Sequence, residues 1–235
     1  MLKVEKINFA YGPIQVLFDA DLEVKRGECV ALLGSNGAGK TTLLKNLSGI
    51  LKASSGTIIF ENINIEKQKA SARLKAGLVQ VPEGGKIFPY MTVWDNLLMG
   101  ASGQKKAWKL RYSTAERVEK LFPILKERRD QRASLLSGGE RQMLVIARGM
   151  MALPKLLLVD EPSLGLSPKM LLEIFNTLKV LHEEGVTILI SEQNIQHALR
   201  LANRGYVLEN GRVVMADTSE QLLNSDYIRQ AYLGL

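Results

Sequence analysis

Short runs of alternating and continuous apolar residues in the first 85 positions predict β-strands. Residues 2–9 and 16–24 alternate apolar and polar side chains, as strands with one buried face do. The run Cys29–Leu33 is apolar throughout, which is typical of a strand buried on both faces. Residues 57–60 are rich in β-branched and aromatic side chains. Together these runs predict a small, mostly antiparallel sheet beside one central buried strand.

Helical spacing replaces the strand pattern in the middle of the chain. Between residue 91 and about residue 136 the pattern is helical and polar, which predicts an inserted helical subdomain. Beyond it, apolar strands alternate with helices, which is typical of a parallel sheet with crossover connections. The predicted strands from residue 78 onward are 78–81, 156–159, 186–190, 205–208 and 213–215, and the predicted helices are 141–151, 168–182, 195–202, 219–223 and 226–232. The pattern therefore predicts an α/β fold.

A glycine-rich segment joins the buried strand Cys29–Leu33 to a predicted helix over residues 41–50. It matches the pattern G-x-x-x-x-G-K-T and consists of Gly34, Ser35, Asn36, Gly37, Ala38, Gly39, Lys40, Thr41 and Thr42. Glycines let successive backbone N–H groups turn toward a phosphate, and the positive end of the helix dipole faces the same anion. Lys40 is placed to reach the β- and γ-phosphates, and the Thr41 hydroxyl is placed to bind Mg²⁺. Strand, loop and helix therefore predict a P-loop nucleotide site.

Two adjacent carboxylates follow the apolar strand at 156–159. Asp160 stands where a strand end beside a P-loop holds the Mg²⁺ shell, directly or through water. Glu161 follows at once and is placed to orient or deprotonate a water that attacks the γ-phosphate. The plain alternative is a pair of surface acids at a strand end. Because the P-loop is intact, we predict Asp160 as a metal ligand and Glu161 as the catalytic carboxylate.

A second segment of small residues precedes the helix predicted at 141–151. It consists of Ser137, Gly138, Gly139 and Glu140. A hydroxyl and free N–H groups at a helix start can hold an anion, which predicts a second phosphate contact. An ordinary helix N-cap explains Ser137 equally well, and that alternative stays open. Two phosphate-binding helix starts in one chain make sense if two chains meet and each covers the other's nucleotide.

Composition and charge narrow the class of protein. The net charge is +7, but the positive residues are scattered, and the one cluster, at residues 126–132, is interleaved with acids. A solvated surface is favoured over a nucleic-acid-binding patch, so we predict no nucleic-acid partner. Cys29 is the only cysteine, which excludes a disulfide framework and a Cys-based zinc site. No apolar run approaches the ~18 residues that span a bilayer, and no signal peptide is expected, so we expect a cytoplasmic protein.

The P-loop, the segment 136–142 and the strand that ends in Asp160 and Glu161 together resemble the ATP-binding cassette (ABC) ATPase family. The resemblance covers essentially the whole chain. It implies a P-loop NTPase fold with a mixed, largely parallel core sheet, an N-terminal antiparallel β subdomain and an inserted helical subdomain. It also implies a single ABC domain, with the nucleotide-binding core and β subdomain at residues 1–84 and 150–235 and the helical subdomain at residues 85–149.

The same resemblance implies how the nucleotide is bound. ATP with Mg²⁺ would lie between the P-loop of one chain and Ser137, Gly138, Gly139 and Glu140 of a second chain, in a head-to-tail dimer. Tyr11 would stack on the adenine ring.

Three positions depart from the usual pattern of this family. Glu83 stands where a glutamine is usual, Gln193 where a switch histidine is usual, and Ser167 where a loop usually ends in aspartate. A glutamine can donate a hydrogen bond to a γ-phosphate but cannot become cationic, so Gln193 is predicted as a second catalytic residue. Glu83 can bind a cation and is predicted as a further metal ligand, although it would repel ATP if it were close and unpaired.

Five further segments resemble the LivF-type ATPases of branched-chain amino acid importers. They are residues 81–84, 162–166, 191–194, 204–211 and 231–235. This resemblance implies leucine, isoleucine or valine as cargo, and an assembly with two transmembrane permease subunits and a second ABC ATPase. The cassette pair would be a heterodimer in the assembly, with a homodimer open in isolation. An extracytoplasmic amino-acid-binding protein would act indirectly, and the chain would lie at the cytoplasmic face of the cell membrane.

Several alternatives remain open from the sequence. Amide or urea import and lipid or polysaccharide export would use the same kind of cassette, because no residue of this chain is expected to touch the cargo. A largely regulatory cassette, paired with a more active ATPase, is consistent with Gln193 and Ser167. An ABC ATPase that acts on DNA or ribosomes is disfavoured, because such proteins typically carry coiled-coil or zinc insertions or two cassettes in one chain.

Overall fold

The computed structural model describes residues 1–233, and Gly234 and Leu235, the end of one segment behind the subfamily resemblance, lie outside the described residues. The strands are β1 (Leu2–Tyr11), β2 (Ile14–Val24), β3 (Cys29–Leu33), β4 (Ser55–Phe60), β5 (Ile63–Asn64), β6 (Leu78–Val81), β7 (Leu156–Asp160), β8 (Thr187–Glu192), β9 (Arg204–Glu209) and β10 (Arg212–Thr218). The helices are α1 (Lys40–Ser48), α2 (Ala70–Ala76), α3 (Val93–Ala101), α4 (Lys105–Lys109), α5 (Arg111–Leu121), α6 (Pro123–Glu127), α7 (Gly138–Met151), α8 (Pro168–Glu183), α9 (Ile195–Leu201), α10 (Ser219–Asn224) and α11 (Asp226–Ile228). A 3₁₀ turn, Ala133–Leu135, precedes α7, and a π-helical turn, Arg229–Leu233, follows α11.

The N-terminal strands form a four-stranded antiparallel sheet in the order β2-β1-β4-β5. This confirms the predicted β subdomain. Strands β1 and β2 extend beyond the predicted runs, because Ala10 and Tyr11 still pair with Gln15 and Ile14. Only residues 12 and 13 make the reversal.

The second sheet is mixed and has the order β10-β9-β3-β8-β7-β6. Strands β6, β7, β8, β3 and β9 are parallel, and only β10 runs antiparallel, beside β9. The P-loop strand β3 is thus flanked by β8 and β9, and β7 lies one strand further along. Because the carboxyl ends of parallel strands meet at one edge, the loops after β3, β7 and β8 lie together there.

Two apolar cores cover the faces of the second sheet. On one face Val30, Leu32 and the α1 residue Leu44 pack with residues of the first sheet such as Val4. On the other face the sheet packs against α7, α8 and α9 and the helices of the inserted region. Burial on both faces explains why residues 29–33 of β3, 156–159 of β7 and 188–190 of β8 are continuously apolar in sequence.

Helix α2 is absent from the pattern-based prediction. Its sequence lacks an apolar stripe, and the residue that it buries is Arg73. The guanidinium of Arg73 donates to the carbonyl oxygens of Asn46 and Leu47 at 2.6 and 2.8 Å, at the end of α1. The helix is therefore anchored by hydrogen bonds to backbone groups, which hydrophobic periodicity does not detect.

The inserted region consists of short helices, as the polar helical spacing predicts. Helices α3 to α6 occupy residues 93–127, and α7 returns the chain to β7. The structure does not test the domain boundaries at residues 85 and 149, which stay predictions. Within the described residues, no helix has both the length and the hydrophobicity that crossing a bilayer requires.

Candidate functional site

The P-loop curls between β3 and α1 in a conformation that depends on glycine. Gly39, the residue before α1, has a φ of 107°, and no side chain caps the helix start. The first N–H groups of α1 are therefore left for an anion. At Gly34 an added Cβ would lie 2.3 Å from the carbonyl oxygen of Leu208, so only glycine fits against β9.

The P-loop forms one wall of a cavity of about 310 Å³. The cavity is lined by Val16, Asn36, Gly37, Gly39, Lys40, Thr41, Thr42, Glu83 and Glu161. The fold thus brings two carboxylates that are distant in sequence, Glu83 and Glu161, to the same cavity as the P-loop.

Lys40 is almost completely buried in this cavity, at 3% exposure. Its ammonium donates to the carbonyl oxygens of Gly34 and Ser35 at 2.6 and 2.9 Å. Its Nζ also lies 2.9 Å from Oε1 of Glu161. Buried charges are tolerated when they are paired and hydrogen-bonded, and here the proposed phosphate-binding cation and the proposed catalytic carboxylate satisfy each other.

Asp160 lies at the end of β7 beside the first turn of α1. Its Oδ1 accepts hydrogen bonds from the Thr41 hydroxyl at 3.1 Å and from the Ser191 hydroxyl at 2.6 Å. Its Oδ2 is buried without a hydrogen-bond partner among the described residues. Burial raises the pKa of Asp160 above its ordinary value, the Ser191 and Thr41 hydroxyls oppose this, and the charges of Glu83 and Glu161 add to it.

This donor set fits a Mg²⁺ ion. An unpartnered carboxylate oxygen next to a hydroxyl supplies the hard oxygen ligands that Mg²⁺ prefers, with substrate phosphates and waters as the usual remaining ligands. No group of three or more His, Cys, Asp or Glu residues that could hold a metal by themselves occurs in the described part of the chain. Glu83 lines the cavity and acts on Asp160 through its charge, so its role as a further metal ligand stays a prediction.

Glu161 has an unusual backbone conformation. Its φ of 39° lies in the left-handed region that non-glycine residues rarely adopt. Its N–H is shared between the carbonyl oxygen and the hydroxyl oxygen of Ser191, each at 3.1 Å. Strained conformations of this kind persist only where surrounding contacts hold them, and they are common at functional sites.

Gln193, the second predicted catalytic residue, is exposed and does not line the P-loop cavity. It lines a neighbouring cavity of about 540 Å³ together with Glu161 and Ser163. Glu161 therefore borders both cavities, and the catalytic role of Gln193 stays a prediction.

Two residues at the end of β8, Ser191 and Glu192, have contacts that the sequence did not reveal. Ser191 binds both Asp160 and the backbone of Glu161. Glu192 is 1% exposed and accepts two hydrogen bonds from Ser163. Both residues lie within the segment 191–194 that supports the subfamily resemblance, but local pattern does not show which neighbouring strand end they face.

The segment Ser137 to Glu140 forms a capping box at the start of α7. The Ser137 hydroxyl accepts from the N–H of Glu140 at 3.3 Å, and the Glu140 carboxylate accepts from the N–H of Ser137 at 2.8 Å. Ser137 is thus the N-cap of α7. Ser137 and Gly138 are exposed, and Ser137, Gly138, Gly139 and Glu140 are not among the residues that line the P-loop cavity. Their contact with a phosphate stays a prediction that requires a second chain.

Tyr11 and Ser167 complete the predicted positions. Tyr11, at the end of β1, is 47% exposed, packs edge-to-face on Phe9 at 4.8 Å and does not line the P-loop cavity. Its stacking on adenine stays a prediction. The Ser167 hydroxyl caps α8, so the serine has a local role where the family pattern usually has aspartate.

Comparison with known proteins places the chain in a family. A family model described as ABC transporter matches residues 17–164. The chain is 48% identical, over the full length of both proteins, to the high-affinity branched-chain amino acid transport ATP-binding protein BraG of Pseudomonas aeruginosa. It is 34% identical to the probable branched-chain amino acid transport ATP-binding protein LivF of Archaeoglobus fulgidus, covering 100% of this chain and 99% of that protein. It is 32% identical to the lipopolysaccharide export system ATP-binding protein LptB of Escherichia coli, covering 99% and 97%.

Solved structures agree with these sequence relatives. A nucleotide-free ATP-binding cassette from an ABC transporter superposes with a TM-score of 0.86 at 28% identity, covering 100% of this chain and 99% of that chain. A dimeric ATP-binding cassette in a post-hydrolysis state, bound to ADP and phosphate, gives 0.82 at 25% identity, covering 93% and 99%. The chain therefore belongs to the ABC transporter family, as one of its ATP-binding cassettes, which bind and hydrolyse ATP.

Proposed function

We propose that this cassette powers the import of branched-chain amino acids. The observation that carries the proposal is the 48% identity to BraG over both full lengths, which exceeds the 32% identity to LptB. Two of the segments that resemble LivF-type ATPases lie beside Glu161 and Gln193: residues 162–166 follow β7, and residues 191–194 form the end of β8 and the start of the next loop. Subfamily resemblance thus coincides with the catalytic edge of the second sheet.

ATP binding uses the P-loop in this proposal. The N–H groups at the start of α1 and the ammonium of Lys40 bind the phosphates, and Thr41 and Asp160 hold Mg²⁺. When bound, Mg²⁺ neutralises charge on the β- and γ-phosphates. Phosphate and Glu161 then compete for Lys40, whose Nζ contacts Oε1 of Glu161 at 2.9 Å. Transfer of Lys40 to the phosphate releases the Glu161 carboxylate toward a water.

Glu161 is the general base of the proposed mechanism. Its side chain is next to Lys40, its backbone is held by Ser191, and it borders both cavities at this edge of the sheet. From this position the carboxylate can orient a water and accept its proton as the water attacks the γ-phosphate.

We expect Glu161→Gln to bind ATP but to lose turnover. The amide keeps the size of the side chain and cannot accept the proton, so hydrolysis should fall by about 100-fold or more. The measurement is phosphate release, with binding of a fluorescent ATP analogue measured in parallel. The matched control is Glu183→Gln, on α8, where the glutamate side chain is 62% exposed. This control should leave ATP binding and phosphate release unchanged. Normal turnover in Glu161→Gln would falsify the assigned role.

The permease contact is proposed on residues 83–96, which form the loop after β6 and the first turn of α3. Tyr90 is 85% exposed and Phe88 44% exposed. The same loop bonds to the turn before α7, through Ser134 N–H to Pro89 O at 3.0 Å, and that turn exposes Leu135. Because Glu83, at the start of this segment, lines the P-loop cavity, an apolar patch on the segment is suited to a partner that must sense nucleotide binding. Two permease subunits and a second cassette are the proposed partners, at the cytoplasmic face of the membrane.

Purification from native membranes tests this assembly. Tagged protein would be isolated from gently solubilised membranes, and every co-purifying chain would be identified by mass. Recovery of two permeases and a second cassette is the expected result. Recovery of the protein alone, or with ribosomes or nucleic acid, would overturn the proposed assembly while leaving the ATP site in place.

Lipopolysaccharide-type export is the second candidate, because LptB matches over almost the whole chain. An uptake experiment distinguishes amino acid import from lipopolysaccharide-type export. It measures the uptake of radiolabelled leucine by vesicles that contain the purified assembly. ATP-dependent uptake supports import. Its absence, together with membrane partners of an export system, would support the second candidate.

A further inference from the structure

The carboxylate of Glu192 connects the ends of two neighbouring strands. Glu192 is the last residue of β8 and is 1% exposed. Its Oε1 accepts the N–H of Ser163 at 3.0 Å, and its Oε2 accepts the Ser163 hydroxyl at 2.7 Å. Ser163 lies in the loop after β7, 29 residues away in sequence. Both oxygens of one buried side chain are therefore bound to one residue of another loop.

Both of the connected loops carry proposed catalytic residues. Ser163 follows Glu161 by two positions, and Gln193 follows Glu192 directly. Glu161, Ser163 and Gln193 line the same cavity of about 540 Å³. The end of β8 thus contacts the segment after β7 at two points. Ser191 accepts a hydrogen bond from the N–H of Glu161, and Glu192 accepts one from the hydroxyl of Ser163.

Stability by itself does not account for a carboxylate at this position. A buried carboxylate loses its hydration, and apolar residues often replace buried charges at no cost in stability. Burial raises the pKa of Glu192, while its hydrogen bonds from Ser163 and from the backbone of Asn194 oppose that shift. The carboxylate does supply two directed bonds next to the left-handed backbone of Glu161, which needs support from its surroundings.

We propose that Glu192 is a positioning residue for ATP hydrolysis, which clamps the loop after Glu161 to the loop that carries Gln193. The proposal rests on the catalytic role proposed for Glu161. Glu192 is not itself placed as a base, because both of its oxygens are engaged and it is not among the residues that line either cavity of the site. Its effect on hydrolysis passes through the geometry of Glu161 and Ser163.

Three variants of the full-length chain test the clamp by steady-state ATP hydrolysis at increasing ATP concentration. Glu192→Ala removes both bonds and should lower the maximal rate by about 10- to 100-fold, the cost of misplacing a reacting group, with half-saturation unchanged. Glu192→Gln should retain most of the rate, because its amide oxygen can accept the Ser163 N–H while its NH₂ donates to the Ser163 hydroxyl. Ser163→Ala removes one bond and should give a smaller loss.

The double variant Glu192→Ala/Ser163→Ala should be no slower than Glu192→Ala alone, because the two residues act through the same contact. Glu119→Ala is the matched control. Glu119 is also a buried glutamate, at 6% exposure, but it lies on α5 in the helical region. Thermal unfolding of every variant is recorded, and the control should lose stability without losing rate per folded molecule.

Three outcomes would overturn the proposal. They are an unchanged rate in Glu192→Ala, a loss in Glu192→Gln as large as in Glu192→Ala, and a change in half-saturation with the maximal rate preserved. The parallel variant Glu161→Gln distinguishes a failure of the proposed clamp from a failure of the catalytic role proposed for Glu161. If it loses turnover while Glu192→Ala does not, only the clamp is wrong, and if it retains turnover, the catalytic assignment itself is wrong.

Discussion

Cys29 is a single thiol at the start of β3, completely buried in the second sheet. Burial raises its pKa to about 12, and the charge of Glu28 acts in the same direction. Since the thiolate is the reactive form, the side chain should remain protonated and behave as a small apolar residue throughout the neutral range. The sequence predicted Cys29–Leu33 as a strand buried on both faces, and the structure confirms it.

We expect native Cys29 to be inert toward thiol reagents. At pH 8 a maleimide probe should leave the folded chain unlabelled over minutes, because the thiol is both protonated and inaccessible. The same probe should label one site per chain in concentrated guanidinium chloride, which serves as the internal control. Rapid stoichiometric labelling of the folded protein, read by mass spectrometry, would contradict the assignment.

At the level of elements, Arg204 joins the two sheets. It is the first residue of β9, and its guanidinium contacts Glu28, in the turn before β3, at 2.6 Å. It also donates to the carbonyl oxygen of Glu23, the residue before the end of β2, and to the Tyr206 hydroxyl. One cation thereby links β2, the turn before the P-loop strand, and β9.

Removal of this contact should destabilise the fold. Arg204→Leu leaves the partly buried Glu28 without its cationic partner, and we expect the free energy of unfolding to fall by about 2 kcal/mol at pH 7. Arg26→Leu is the matched control, because Arg26 forms a comparable 2.6 Å pair with Glu61 but its side chain is 67% exposed. The control should lose less than about 1 kcal/mol in urea unfolding. Equal losses in the two variants would contradict the argument.

The Arg204 contact should also depend on pH. Burial acts to raise the pKa of Glu28, but hydrogen bonds from Arg204 and from the backbone of Lys25 outweigh it, so the folded pKa lies below the ordinary value of 4.5. A lowered folded pKa means that this stabilisation is present above pH 4.5 and is lost as the pH falls through the folded pKa. The difference in unfolding free energy between wild type and Arg204→Leu should therefore shrink below pH 4.5. A difference that stays constant with pH would contradict a stabilising contact between Arg204 and ionised Glu28.

At the scale of the whole molecule, the described structure holds half of the predicted ATP site. The P-loop cavity contains Lys40, Thr41 and Glu161, but Ser137 lies elsewhere, exposed at the start of α7. The serine completes a site only if a second cassette approaches head-to-tail. One of the structural relatives is a dimeric ATP-binding cassette.

Ser137→Asp tests the dimer without removing the helix cap. Aspartate caps helices as well as serine does, so the chain should fold and bind ATP normally. Its negative charge would face the phosphates of a partner's ATP, and like charges disfavour such a contact. The measurement is light scattering of chains that carry Glu161→Gln. We expect ATP to produce dimers of this variant, and we expect the added change Ser137→Asp to abolish them.

Thr218→Asp, at the N-cap of α10, is the control for the dimer experiment and should leave dimerisation intact. Dimers of undiminished stability in Ser137→Asp would show that Ser137 does not face a partner's nucleotide.

Local sequence determined the elements and the phosphate-binding loop. Strands β3, β6 and β7 match the predicted runs to within one residue, because their largely apolar sequences reflect their burial in the second sheet. The P-loop was recognisable because its glycines, Lys40 and Thr41 lie in one short segment. Helix α2 was missed because its anchor, Arg73, is polar.

Only the tertiary structure decided which side chains meet at the catalytic edge. The pairing of Lys40 with Glu161, the bond from Ser191 to Asp160 and the clamp of Glu192 on Ser163 each join separate strand ends. These contacts depend on the strand order β3-β8-β7 and on its register, which places Asp160 opposite Ser191. Hydrophobic periodicity reports which face of a strand is buried but not which strand lies beside it, so the neighbours of Glu161 could not be derived from the chain alone.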